Sequence, residues 1–219
     1  MTTPETKDVL PSEPMDVMAV LQANGRLLTI AAAIVVVAGG SLWVYKQSAL
    51  TKETNASKAL FQAQQSMLAQ NPALAQSDLE KLVAKYSGTG AGSEGAMLLA
   101  QLHYDNGKFQ EGITVLENAT KSAPQPLQTE ILVLLGDGYL SLKNPAAAAK
   151  QYETAAGLSG FELDRASEKA QAARAYTAAG DTAKSRKLWE ELAEDPKSPA
   201  TVAEAKVRLG ELTAKSVKN

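Results

Sequence analysis

The sequence predicts an all-α chain: one apolar N-terminal helix followed by a solenoid of helical hairpins. Three observations carry this. Leu27 to Tyr45 (LLTIAAAIVVVAGGSLWVY) holds no charged residue and is bracketed by Arg26 and Lys46. The remainder repeats a pattern of small and large residues with a period of 36 to 37. Finally, no period-two apolar run reads as a convincing strand, and the region after the apolar stretch is rich in the helix formers Ala, Leu, Lys, Glu and Gln.

Residues 1–26 form a tail with Pro4, Pro11 and Pro14. Its first fifteen or so residues read as disordered, and Met15 to Leu21 as a short amphipathic turn on a membrane surface. Residues 27–45 form a transmembrane helix, which at 1.5 Å per residue rises about 28 Å, close to the thickness of bilayer hydrocarbon. Arg26 and Lys46 flank the span, and Trp43 and Tyr45 place amphipathic rings at one interface. A buried core helix and a cleaved signal peptide are the rival readings. The second has weak small-residue spacing at Ala38 and Gly40, but its leader and its apolar run are both long for a signal.

Residues 46–219 are long enough for one repeat domain with a sizeable core. Of the 22 Lys+Arg and 24 Asp+Glu, two and four precede this domain, which leaves it neutral with 20 of each. A neutral domain without a basic stripe argues against nucleic acid as a partner. The absence of cysteine excludes disulfides and cysteine-based metal or nucleophile sites. Across the span, Lys46, Lys52 and Lys58 outweigh Arg26, a small lean toward a cytoplasmic repeat domain.

The repeat aligns Ala63, Ala100, Gly136, Ala173 and Gly210. Twelve positions after the first four come Ala75, Gly112, Ala148 and Ser185, all small; sixteen after come Leu79, Leu116, Tyr152 and Trp189, all large; nineteen after come Leu82, Ala119, Ala155 and Leu192. Small residues let antiparallel helices approach, and the large ones fill the space against the next pair. Asn71-Pro72, Asn144-Pro145 and Ser198-Pro199 read as N-caps before a first-turn proline. Gly107 and Gly180 read as left-handed helix ends, with Asp181 capping the helix that follows. The expected helices are 52–70 and 72–86, 93–106 and 109–122, 127–142 and 145–157, 162–179 and 182–194, with a capping helix over 199–215.

Leu99, Ala100, Gly107, Gly112, Ala119 and Pro124, then Leu135, Gly136, Tyr139, Ala148, Tyr152 and Ala155, resemble the tetratricopeptide repeat. Gln62, Ser66 and Gln70 depart from its pattern. In such solenoids the first helix of each pair lines the concave groove. That resemblance implies a protein-binding groove of Leu60, Gln64, Met67, Met97, Gln101, Tyr104, Val133, Asp137 and Leu140, followed by Ala170, Arg174 and Thr177. Its flexible Met, Leu and Val side chains would suit varied apolar segments.

Other candidate chemistry reads as structure. Gly90 to Gly95 fits G-x-G-x-x-G but lacks a preceding strand, and reads as the loop between two pairs. His103, the single histidine, holds a packing position in the repeat. Glu190, Glu191, Glu194 and Asp195 read as a solvated face among lysines. No nucleophile elbow, phosphate loop or metal cluster is legible, so neither an enzyme nor a cofactor is expected.

The order of parts is Asn24-Gly25-Arg26, the apolar run closed by Trp43-x-Tyr45, Ala56-Ser57, and then the repeat through Ala179-Gly180-Asp181 to Trp189-Glu190. It is similar to the bacterial YfgM-like family, an ancillary subunit of the SecYEG translocon. The resemblance implies a single-pass inner-membrane protein with a periplasmic repeat domain. Its partners would be SecYEG, a PpiD-type periplasmic chaperone and newly translocated proteins, with membrane lipid around the anchor. The alternatives are a scaffold for another envelope assembly machine and a cytoplasm-facing regulatory repeat protein.

Overall fold

The computed structural model describes residues 25–217, so the expectations for the tail lie outside the described residues. Among the described residues every element is helical: α1 (Gly25–Leu68), α2 (Pro72–Tyr86), α3 (Gly90–Asp105), α4 (Phe109–Thr120), α5 (Gln125–Ser141), α6 (Pro145–Leu158), α7 (Glu162–Ala178), α8 (Thr182–Ala193) and α9 (Pro199–Val217). The chain divides into two compact units between Ala49 and Leu50.

In the first unit, the described part of α1 leaves its large apolar side chains open, from Ile34 and Val35 to Trp43 and Tyr45. Among the described residues one helix is long and apolar enough to cross a membrane, and none of its apolar window is buried. A soluble core helix would bury such a window, so the buried-core reading fails. The sequence expectation of a separate helix starting near residue 52 is also corrected. α1 runs on to Leu68, because no proline or turn residue interrupts it after Tyr45.

The second unit stacks α1 residues 50–68 with α2, α3 with α4, α5 with α6, and α7 with α8, and closes with α9. The aligned small residues Ala63, Ala100 and Ala173 are fully buried, as are Ala75, Ala148 and Ser185 twelve positions on. Leu79, Leu116, Tyr152 and Trp189 fill the spaces between them. Gly136 marks a particularly tight approach: a Cβ there would stand 2.4 Å from Tyr152 Cε1. Gly210, the last aligned position, is exposed and touches nothing within 4 Å.

Each pair turns in the same way. Gly107 (φ +72°) and Gly180 (φ +83°) are left-handed as expected, and Gln70 (φ 54°) and Lys143 (φ 57°) hold the equivalent places in the other two turns. At all four, the next residue's N–H reaches back to close the helix end, as in Asn71 to Ser66 O and Lys108 to His103 O. Asn71, Asn144 and Asp181 then cap the second helices by accepting from Leu74, Ala147 and Lys184 N–H, each at 3.1 Å. The cap expected from Ser198 is corrected: its hydroxyl is buried and has no partner among the described residues.

The Gly90–Gly95 stretch is not a loop, as the sequence suggests, but the opening of α3. The Glu53 carboxylate on α1 accepts from Gly90 N–H (2.9 Å) and Ala91 N–H (3.0 Å), while Thr89 Oγ1 accepts from Gly92 N–H at 2.9 Å. A negative charge at a helix N-terminus is favourable, and it satisfies donors that glycine-rich sequence alone would leave open. The glycines serve packing. A Cβ at Gly95 would meet Leu82 Cδ2 at 2.4 Å, and one at Gly92 would meet Tyr86 O at 2.2 Å. Ser66, which departs from the repeat pattern, donates its hydroxyl to the buried Asp78 carboxylate at 2.9 Å.

Candidate functional site

The helices α3, α5 and α7 lead successive pairs, and one face of all three borders a single concavity of about 820 Å³. Met97 of α3 with Val133 and Leu134 of α5 give it an apolar lining, and Leu158 and Phe161 give it an apolar rim. The α6–α7 connection builds that rim. Arg165 Nη2 donates to Ser159 O at 2.8 Å, Arg165 N–H donates to Phe161 O at 3.0 Å, and the Phe161 ring is left 75% exposed. The volume falls within the range of concave ligand sites.

The polar lining is acidic. Glu130 and Asp137 on α5 and Asp164 and Glu168 on α7 face the concavity, and no Lys, Arg or His does so among the described residues. Asp137 is already engaged, accepting from Tyr152 Oη at 2.5 Å. Burial, and then this carboxylate, push the Tyr152 phenol up. Glu168 is different. It is 5% exposed, and its Oε2 has no hydrogen-bond partner among the described residues. Burial pushes its carboxyl up to about 7; the Asp164 charge adds to the rise, and Ser159 and the Arg165 guanidinium oppose it.

The residues the sequence singles out as groove-lining fall into several places. Met97, Val133 and Asp137 line the concavity. Leu60 and Ala170 lie in the core. Tyr104 is half-buried, its ring wedged beside Gly138 and its hydroxyl donating to Leu134 O at 3.3 Å. Arg174 fastens the C-terminal helix, donating from Nε (2.8 Å) and Nη2 (2.6 Å) to the two carboxylate oxygens of Glu204 on α9. Gln64, Met67, Gln101 and Leu140 lie outside the concavity, with Gln101 bonded to Asp105. Thr177 pairs its hydroxyl with Ser185. Trp43, Tyr45 and Lys46 are exposed on α1, and Arg26 lies in its first turn.

Sequence reasoning misses the α7 carboxylates and the Phe161 rim. On α5 the missed position continues the Val133–Asp137 stripe one turn back, to Glu130, and that spacing could have found it. Nothing in the sequence marks Glu168 as buried. His103 is buried, as a packing position should be. Glu191 of the acidic group pairs with Lys169 at 2.7 Å. Among the described residues no three His, Asp or Glu side chains group in a way that could hold a metal ion.

A helical-hairpin solenoid with an open concave groove defines a class of protein-interaction scaffold, typically non-catalytic. The sequence pattern of the tetratricopeptide repeat-like domain matches residues 19–162, and the chain belongs to that family. No curated relative matches it. Among solved structures it is similar to the TPR-like repeats of a Podosopora anserina protein of kinesin light chain type. The two are 17% identical with a TM-score of 0.56, over 76% of this chain and 89% of that one. A point-substituted form of those repeats is likewise 17% identical, with a TM-score of 0.52 over 76% and 98%. These likenesses establish the fold.

Proposed function

We propose that this chain is a membrane-anchored, non-enzymatic adaptor that holds a segment of a partner protein in the groove bordered by α3, α5 and α7. The observation that carries this reading is the open apolar concavity, lined by partly buried Met97 and Val133 and rimmed by the exposed Phe161. An apolar ring held open to solvent on a repeat fold suits a protein partner. Tethering the domain to a membrane through residues 27–45 would raise its effective concentration near partners at that surface.

The resemblance to the YfgM-like family supports the finer reading. The adaptor would sit in the bacterial inner membrane at the exit of the SecYEG translocon, with a PpiD-type chaperone and newly translocated chains as partners. The lysine count after the span favours the rival reading, a cytoplasm-facing regulator. That count is small, and a long domain translocates largely regardless of charge.

Protease treatment of spheroplasts carrying a tag after Asn219 tests the side. Cleavage in intact membranes supports the translocon-exit reading, and protection until lysis overturns it. A photo-crosslinker near Phe161 then tests the groove. Capture of translocon or client proteins that falls in Met97→Asp and Phe161→Asp variants supports the adaptor role. Unchanged capture by folded variants refutes the groove as its site.

A further inference from the structure

We propose that the concavity seats a protein segment carrying one lysine or arginine between apolar residues, its cation docked on Glu168 and Asp164 while the apolar flanks pack on Met97, Val133 and Phe161. This rests on the groove reading above and specifies the chemistry of its occupant.

Glu168 carries the inference. Its carboxylate lies among the lining residues of an open groove, yet the side chain is 5% exposed and Oε2 has no partner among the described residues. A buried carboxylate oxygen with nothing to accept from is costly and is normally paired. Lys169, next in sequence, is paired with Glu191 at 2.7 Å, and Arg165, one turn back, spends its Nη2 on Ser159 O. Asp164 stands one turn away on the same helix, and Glu130 and Asp137 face the same space from α5. The groups that act on Glu168 are thus the Asp164 carboxylate, the Ser159 hydroxyl and the engaged Arg165 guanidinium, with Glu130 and Asp137 lining the same concavity.

An incoming ammonium or guanidinium would supply the missing donor and offset the repulsion between Asp164 and Glu168. Acidic segments would be refused by the same charges. The apolar groups beside the carboxylates explain why a free cation would not suffice. Met97, Val133, Leu134, Leu158 and Phe161 offer area that only a segment with apolar flanks can use.

The test uses the full chain in zwitterionic phosphatidylcholine nanodiscs at low salt and alkaline pH, where Glu168 is ionised. Three short labelled peptides share leucine flanks and differ at one central position, which is lysine, norleucine or glutamate. Fluorescence anisotropy should show the lysine peptide binding roughly tenfold tighter than the norleucine peptide, with the glutamate peptide weakest. Glu168→Gln, which keeps the shape, should erase the advantage of lysine over norleucine; Asp164→Asn should reduce that advantage.

Equal binding of lysine and norleucine peptides overturns the cation docking and leaves the groove reading in place. A lysine advantage that persists in both variants also overturns it. If none of the three peptides binds, the groove reading falls with it.

Discussion

Tyr176 on α7 donates its hydroxyl to the Glu153 carboxylate on α6 at 2.5 Å, tying one helix pair to the next. The same tie recurs one repeat earlier, where Tyr139 on α5 donates to Glu117 on α4 at 2.6 Å. In a solenoid each repeat contacts only its neighbours, so bonds of this kind act on the interfaces that hold the array together. Tyr176→Phe is expected to cost about 1 to 2 kcal/mol, because it removes a hydrogen bond to a charged acceptor at little change in volume. Urea unfolding of Tyr176→Phe, Glu153→Ala and the double variant checks it. The two single losses should not add, since either one already breaks the bond.

Alkaline pH should attack the same interfaces. Tyr104, Tyr152 and Tyr176 are pushed up first by burial, and Tyr139 is pushed up to about 12 first by its bond to Glu117. In the unfolded chain these phenols titrate near the ordinary value of 10.0. Above that pH the unfolded state therefore binds fewer protons than the folded state, and stability falls as pH rises. Above the pH at which Glu168 has ionised, melting temperature should hold up to the ordinary tyrosine value and drop beyond it. In Tyr152→Phe, that alkaline drop should be shallower.

The fold was legible because its determinants are local and periodic. The alternation of Ala100, Gly112 and Leu116 with Gly136, Ala148 and Tyr152 gives the helix pairs. Two of the four left-handed turns within the helix pairs were legible from Gly107 and Gly180. The other two were not, because Gln70 and Lys143 do not advertise a positive φ. The site was legible only in part. Periodicity gives the register, and with the tetratricopeptide resemblance, which implies which helices face the groove, it found Met97, Val133 and Asp137. It cannot tell which turn of each helix stays open, because that depends on how Ser159–Phe161 crosses between α6 and α7. Nor can it tell that Glu168, polar and mid-helix, is shut away from water.

Glycine substitutions should separate packing from propensity. At Gly136 a new methyl would lie 2.4 Å and 2.5 Å from Tyr152 Cε1 and Cζ, and the ring that must yield is buried and bonded to Asp137. Gly136→Ala is therefore expected to destabilise by about 1 to 3 kcal/mol despite the better helix former. Gly157, near the end of α6, has nothing within 4 Å of its added Cβ. Gly157→Ala is expected to stabilise by about 0.5 to 1 kcal/mol. Thermal unfolding of the two variants should shift in opposite directions.

The turn at Lys143 offers a stabilising change in the other sense. Its φ of 57° is one that side chains other than glycine adopt at a cost, and the residue is exposed. Lys143→Gly should raise stability by about 0.5 to 1 kcal/mol, even though glycine gives the unfolded chain more freedom. The mirror change, Gly180→Ala at φ +83°, should lower it by a similar amount. Denaturant midpoints of the two variants, read against the parent, check the pair.

Glu168 should make stability fall between mildly acidic and mildly alkaline pH. Its folded carboxyl titrates near 7, raised from 4.5 mainly by burial and next by Asp164, with Ser159 and Arg165 opposing. Below 4.5 both states hold the proton, and the group contributes nothing. Between the two values the unfolded chain has released its proton while the folded chain keeps it, so each step up in pH favours unfolding. Above about 7 the penalty is complete. Glu168→Gln removes the titration at nearly constant shape, so it should leave stability almost unchanged near pH 4 and raise it at about pH 8, by up to about 3 kcal/mol. Melting curves of parent and variant across this range give the difference directly. A gap that is constant with pH would mean that Glu168 keeps an ordinary carboxyl in the folded chain, and a gap that closes as pH rises would mean that its ionised form is already paired.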